Sequence, residues 1–430
     1  MRALLVCCVV CLTAAAAAQD SDPVPALTGY VTRVNSAADF DVSGWHIVCG
    51  PETKTTMLPQ HPSRRHGYDS GCPQEPPRIG LPAAVWGTLD RKQQAIQATQ
   101  LDLGPVPLGN IFSYGIIEAI LSQSPQSLIV RADGLTIRVD SPIHPEFKAP
   151  LHSLADVTTN VWLDYKGEQE ADGTVLAGEA RFKPNWPNPK AEKTRARTDY
   201  NPFQVTKPGN GAAEVLIGVN AMKIPTWPDA AMQARVAAIG KKLVPAYQRH
   251  LPVGDGTKID FRFYVTAGDR WRRGVLPLPS GIILVPHQIV DRMQNDSQLA
   301  AILADSIAVE MEAQDTRMLQ GIRPTPRQAT KEIAIDASEI VAIGGVETLA
   351  ANMIVEHHRF KKEFQQSGRV SLSLMHEAGF DVAEAPIAWW RLSVKDGDSL
   401  LDTPLPEQSV NLYRDLSTTW QISPPSPSQP

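Results

Sequence analysis

The hydrophobic period of this chain changes near residue 220, and that change limits what each half can become. Before it, apolar and polar residues alternate, as in half-buried strands. GYVTRV (29–34), PAAVWGTL (82–89) and AIQATQL (95–101) are such runs. The same order recurs as GIIEAI (115–120), TNVWLDY (159–165) and GTVLAGEA (173–180). In the second set, LIVRADGLTIRV (128–139) reads as a hairpin about an Asp-Gly turn. A repeated order of strands points to a duplication, and two small closed β-barrels account for it economically. After residue 220 the spacing becomes helical. Residues 229–250 put Met232, Val236, Ile239, Leu243 and Tyr247 on one face, and 298–314 do the same with Leu299, Ile302, Leu303, Ile307, Glu310 and Met311. KIDFRFYVT (258–266) and GIILVP (281–286) lie between them as strands.

The expected fold class is therefore α+β and multidomain. Barrel units span 24–105 and 110–185, a Pro-, Asn- and Lys-rich linker spans 186–220, and a mainly helical domain with a short sheet spans 221–395. A C-terminal extension ending in a disordered Ser/Pro tail fills 396–430. Residues 1–19 have the grammar of a secretory signal peptide: Arg2, an apolar run from Ala3 to Ala16, and small residues before Asp20. This predicts an exported protein, periplasmic or extracellular, with no transmembrane segment in the mature chain. Of five cysteines, Cys7, Cys8 and Cys11 fall in that leader, leaving Cys49 and Cys72 as a pair. A disulfide is the simplest reading in an oxidising compartment; a Cys/His metal site with His46, His61 or His66 is the alternative. A net charge of −5 and a pI near 6.1 provide no overall attraction to phosphate backbones, so no nucleic-acid partner is expected.

Two resemblances refine this outline. Each β-unit is similar to the small OB-like barrel repeats of exported bacterial proteins, through an opening G-x-V-x-x-V strand and a later Gly-punctuated hairpin. The helical half carries LPLPSGIILV (276–285), NDSQLAAILA (295–304), LMHEAGFD (374–381) and APIAWWRL (385–392) in that order. These blocks resemble the substrate-strand and active-site-helix passages of the zinc metallopeptidase family M-48, a zincin fold, over about 222–395. Active members need H-E-x-x-H on one helix: two histidines one turn apart bind zinc, and the glutamate works on the metal-bound water. A glutamate from a later E-x-x-x-D motif completes the ligand set.

In this chain the ligand positions read Asp305 and Val309, and the general-base position reads Ser306. Valine has no lone pair and serine is no carboxylate base, so no catalytic residue and no zinc are expected. The later motif falls on Phe364 or Glu363 and on Gly368 or Ser367. The E-x-x-x-D spelled by Glu332 to Asp336 stands far upstream of that place. A rebuilt metal site would have to draw on Asp305, Glu310, His287, His357, His358 and Glu363. In active relatives the strand equivalent to Ser280, Gly281, Ile282, Ile283, Leu284 and Val285 pairs with an extended substrate, and its retention implies an edge strand open to β-augmentation. The resemblance thus implies a peptide-binding pseudopeptidase in the cell envelope, with extended or unfolded polypeptides or envelope proteins as partners. An active zinc metalloendopeptidase with unorthodox ligands and a structural envelope module without ligand are the alternatives.

Overall fold

The computed structural model describes residues 25–57, 69–77, 81–104, 111–170, 172–186, 214–217, 222–267, 275–278, 281–312, 365–394, 400, 405–420 and 422. The leader, His61, His66, Ser280, residues 332–336, His357, His358, Glu363, Phe364 and the tail lie outside them.

Barrel 1 is built from β1 (Leu27–Ser36), β2 (Asp39–Val42), β3 (Trp45–Val48), β4 (Lys54–Met57), β5 (Asp69–Ser70), β6 (Pro82–Asp90) and β7 (Ala95–Leu103). Five of these close a ring in the order β1-β2-β3-β7-β6, through one parallel pairing of β3 with β7. Barrel 2 uses β8 (Ile111–Gln123), β9 (Ser127–Ala132), β10 (Leu135–Asp140), β11 (Glu146–Phe147), β12 (Val161–Gln169) and β13 (Val175–Pro184). It closes in the same way as β8-β9-β10-β13-β12, with β10 and β13 parallel. Even the extra strand is repeated, since β4 joins β7 and β11 joins β13, both in parallel. The duplication read from the sequence is thus a duplication of topology. Alternation explains the interiors: Val31, Phe40, Ile47, Val85 and Leu101 fill the first, and Ile117, Val130, Ile137, Leu163 and Phe182 the second.

A hairpin of β14 (Glu214–Ile217) and β15 (Met222–Pro225) follows. Its first strand falls inside the stretch expected to be linker. The helical region contains α1 (Ala230–Leu243), α2 (Ala246–His250), α3 (His287–Arg292), α4 (Asp296–Met311), α5 (helical over 365–377), α6 (Ala385–Ser393) and α7 (Glu407–Thr418). The single face expected over 229–250 is broken into α1 and α2 at Val244 and Pro245. Proline has no N–H to donate and disfavours helical backbone in the residue before it.

Three strands, β16 (Arg262–Thr266), β17 (Leu276–Pro277) and β18 (Ile282–Pro286), form the small sheet in the order β16-β18-β17. One face of β18, Ile283 and Val285, packs into the helical core; the other, Ile282 and Leu284, packs with Ile224 of β15. The C-terminal extension contributes a helix to the core. In α7, Leu412, Tyr413 and Leu416 are fully buried, and each such side chain contributes about 1.5–3 kcal/mol of transfer free energy. Among the described residues no helix is long and apolar enough to cross a membrane.

Candidate functional site

Helix α4 begins at an Asn295 cap whose side chain accepts the Gln298 N–H, and Leu, Ala and Ile then run around its whole circumference. Such a helix belongs in an interior, and nearly every residue from Gln298 to Met311 is buried. This brings the positions that the resemblance would align with metal ligands into the core. Asp305 is 7% exposed, Ser306 is buried and Val309 half-buried.

The neighbours of Asp305 come from two other helices. Ser367 of α5 hydrogen-bonds its carboxyl, and Gln408 of α7 donates to Oδ1 at 3.4 Å. A Cβ on Gly368 would lie 3.3 Å from the same Gln408 amide and 3.6 Å from Leu412, so α7 covers α5 at this point. Burial pushes Asp305 up to about 6, against the Ser367 hydrogen bond, which lowers it. The Ser306 hydroxyl donates back to the Ile302 carbonyl at 3.2 Å, a bond internal to α4. A catalytic zinc needs three protein donors and one open position. Here the carboxylate is engaged by an alcohol and an amide, the next position is a hydrocarbon, and a helix closes the space. Among the described residues the side chains here do not fit the metal.

Among the described residues the other candidate ligands do not gather either. His287 stacks on Trp227, with ring centroids 3.8 Å apart. Among the described residues no three His, Cys, Asp or Glu side chains converge as a metal site. Cys49 and Cys72 form a disulfide across 23 residues, as expected, which removes them as ligands. His46 instead joins Asp41 at 3.1 Å, in an ion cluster with Arg33 and Asp39.

The expected edge strand requires a correction. Strand β18 is central: β16 lies parallel to it on one side, and β17 pairs antiparallel on the other through Leu276 with Leu284 and Pro277 with Ile283. The reason is the tight turn before it. Gly281, at φ +86°, lets the chain reverse, and a Cβ there would meet Ile259 at 2.6 Å. The Leu278 N–H donates to the Ile282 carbonyl and seals the hairpin. The outermost strand is therefore β17, and among the described residues no strand pairs with its outer side.

A second polar cluster was not foreseen. Where barrel 2 meets the helices, Arg369 Nη2 lies 2.7 Å from both oxygens of the fully buried Asp133, and the Tyr165 hydroxyl donates to the same carboxylate at 2.8 Å. Beside it, Ser373 donates to Glu118 at 2.7 Å and the Gly134 N–H donates at 3.2 Å. Glu312 accepts the Ile116 N–H, and the Gln366 amide donates to the Tyr114 carbonyl. One signal was available in the sequence: Glu118 is a lone carboxylate in the otherwise apolar run GIIEAI.

Comparison with known proteins adds no relative: no protein-family model matches the chain, and no curated protein matches it.

Proposed function

We propose that this chain is an exported, non-catalytic relative of the M-48 metallopeptidases that binds extended polypeptides in the cell envelope, with two OB-like barrels as accessory modules. The observation that carries the reading is the pairing of Asp305 with Ser367. The resemblance aligns Asp305 with a metal ligand and, in one of its two registers, Ser367 with the closing Asp of the later E-x-x-x-D motif, and Ser367 hydrogen-bonds the Asp305 carboxyl across α4 and α5. Helices so arranged support a zincin-like ancestry, while the carboxyl at the one ligand position that keeps a donor, Asp305, is taken up by Ser367 and Gln408. The disulfide and the leader-like N-terminal sequence support an oxidising, exported setting.

Peptide binding moves from β18 to the outer side of β17. In an antiparallel ladder alternate residues face the same neighbour. Leu276 and Leu278 face β18, so Val275 and Pro277 face outward. Proline has no N–H, which leaves Val275 as the outward donor of this short edge. A fluorescence-polarisation assay with extended peptides tests the reading. Val275→Pro should weaken binding about five- to tenfold, the value of one backbone hydrogen bond. Absence of peptide binding, or binding indifferent to this change, contradicts it.

A further inference from the structure

Barrel 1 is an internal reference for one residue of barrel 2. Gly29 and Gly115 occupy matching points on β1 and β8. A Cβ on Gly29 would meet Ser43, and one on Gly115 would meet Asp133, each the first residue of the equivalent turn. Three residues further on, Thr32 matches Glu118. Both accept the same bond, since Gly44 N–H donates to Thr32 Oγ1 at 3.2 Å and Gly134 N–H donates to Glu118 Oε1 at 3.2 Å. A threonine thus suffices to satisfy the turn. Barrel 2 has instead a longer, ionisable side chain, 4% exposed, whose second oxygen reaches across to Ser373 on α5.

The groups facing Glu118 come from each packed element. Arg131 of β9 is 3.4 Å from Glu377 of α5, so its charge is shared. Tyr247 of α2 lies in the fields of Glu312, Glu118 and Glu377. Among the described residues the seam therefore holds three carboxyl groups, Glu118, Glu312 and Glu377, beside that one shared arginine. The neighbouring Asp133–Arg369 pair is self-neutralising.

We infer that the seam between barrel 2 and the helices is a proton-operated joint, closed when Glu118 is protonated and loosened when it is a carboxylate. A neutral carboxyl is compatible with the buried seam and with Ser373. A charged one is desolvated there and repelled by Glu377. Burial first, opposed by Ser373 and reinforced by Glu377, pushes Glu118 up to about 7 from its ordinary 4.5. Closing then takes up a proton, so the closed form is favoured at low pH and weakens as pH rises from 4.5 through about 7.

Hydrogen exchange on the full chain, corrected for intrinsic rates and referenced to β1, tests this. Protection of residues 112–118 and 365–377 should fall roughly tenfold or more between about pH 5.5 and about pH 8. Glu118→Gln, and Glu118→Thr as the transplant from barrel 1, should make the profile over 112–118 flat. Ser373→Ala removes a bond that holds the Glu118 proton affinity down, so it should move the midpoint upward. A flat wild-type profile, an unchanged fall in both Glu118 variants, or an unmoved midpoint in Ser373→Ala overturns the proposal.

Discussion

The two barrels share strand order, parallel closure and turn geometry, yet they are held in place by different means. In barrel 1 the turn residues satisfy only the barrel itself: the Tyr30 N–H donates to Ser43 Oγ, and the Gly44 N–H to Thr32. A disulfide ties its long loop, and β1 touches α7, where Tyr30 meets Arg414. In barrel 2 the same turn is Asp133-Gly134. Its carboxylate is neutralised by Arg369, and its glycine lies so close to α5 that a Cβ would come within 2.2 Å of the Arg369 backbone. Duplication preserved the fold, and a few turn and strand residues turned one copy into a docking element. The interior pattern specifies a barrel; what a barrel attaches to is written in residues that the pattern does not need.

The comparison can be broken most forcefully at Arg369. Arg369→Ala leaves Asp133 buried without its counter-ion and should cost about 3–5 kcal/mol in urea unfolding of the full chain, whereas Ser43→Ala at the matching turn should cost about 1 kcal/mol or less. A comparable loss from both would mean that the two turns do equivalent work. Replacing Cys49 and Cys72 by serine should remove about 3 kcal/mol, the constraint expected for a loop of this length. The loss should be confined to barrel 1, with exchange protection at the barrel 2 seam unchanged. Gly134→Ala strains a residue at φ +66° and collides with α5. It should weaken docking by at least about 1–2 kcal/mol, read as faster exchange over 365–377. Thr32→Val removes the acceptor of one turn bond and should lower barrel 1 stability by about 1 kcal/mol, with no effect on the seam.

Alternation and repetition made much of the architecture legible. The runs at 29–34, 82–89 and 95–101 became β1, β6 and β7, and their echoes became β8, β12 and β13. The Asp-Gly hairpin formed where it was read, because those two residues accept positive φ at little cost. What escaped depended on distance along the chain. Helix α7 carries Leu412, Tyr413 and Leu416 at helical spacing behind two prolines, a legible start signal obscured by the Ser/Pro composition that follows. The central position of β18 could not be read from its own residues, since a wholly apolar five-residue strand is buried either way. The hairpin-forming Gly281 and the two residues of β17 decide it. Of the site, residue identities at 305, 306 and 309 were plain in the sequence. That Gln408 reaches Asp305 from a hundred residues away, and that Glu118 meets Ser373, are products of packing alone.

The side chains around Asp305 decide whether this site can hold a metal, and that capacity can be measured directly. Elemental analysis of the full-length protein, purified without chelator and then challenged with excess zinc and dialysed, should find far less than one zinc per chain, and the treated protein should leave unfolded casein intact. Stoichiometric zinc retained together with casein cleavage, both abolished by Asp305→Asn, would contradict it.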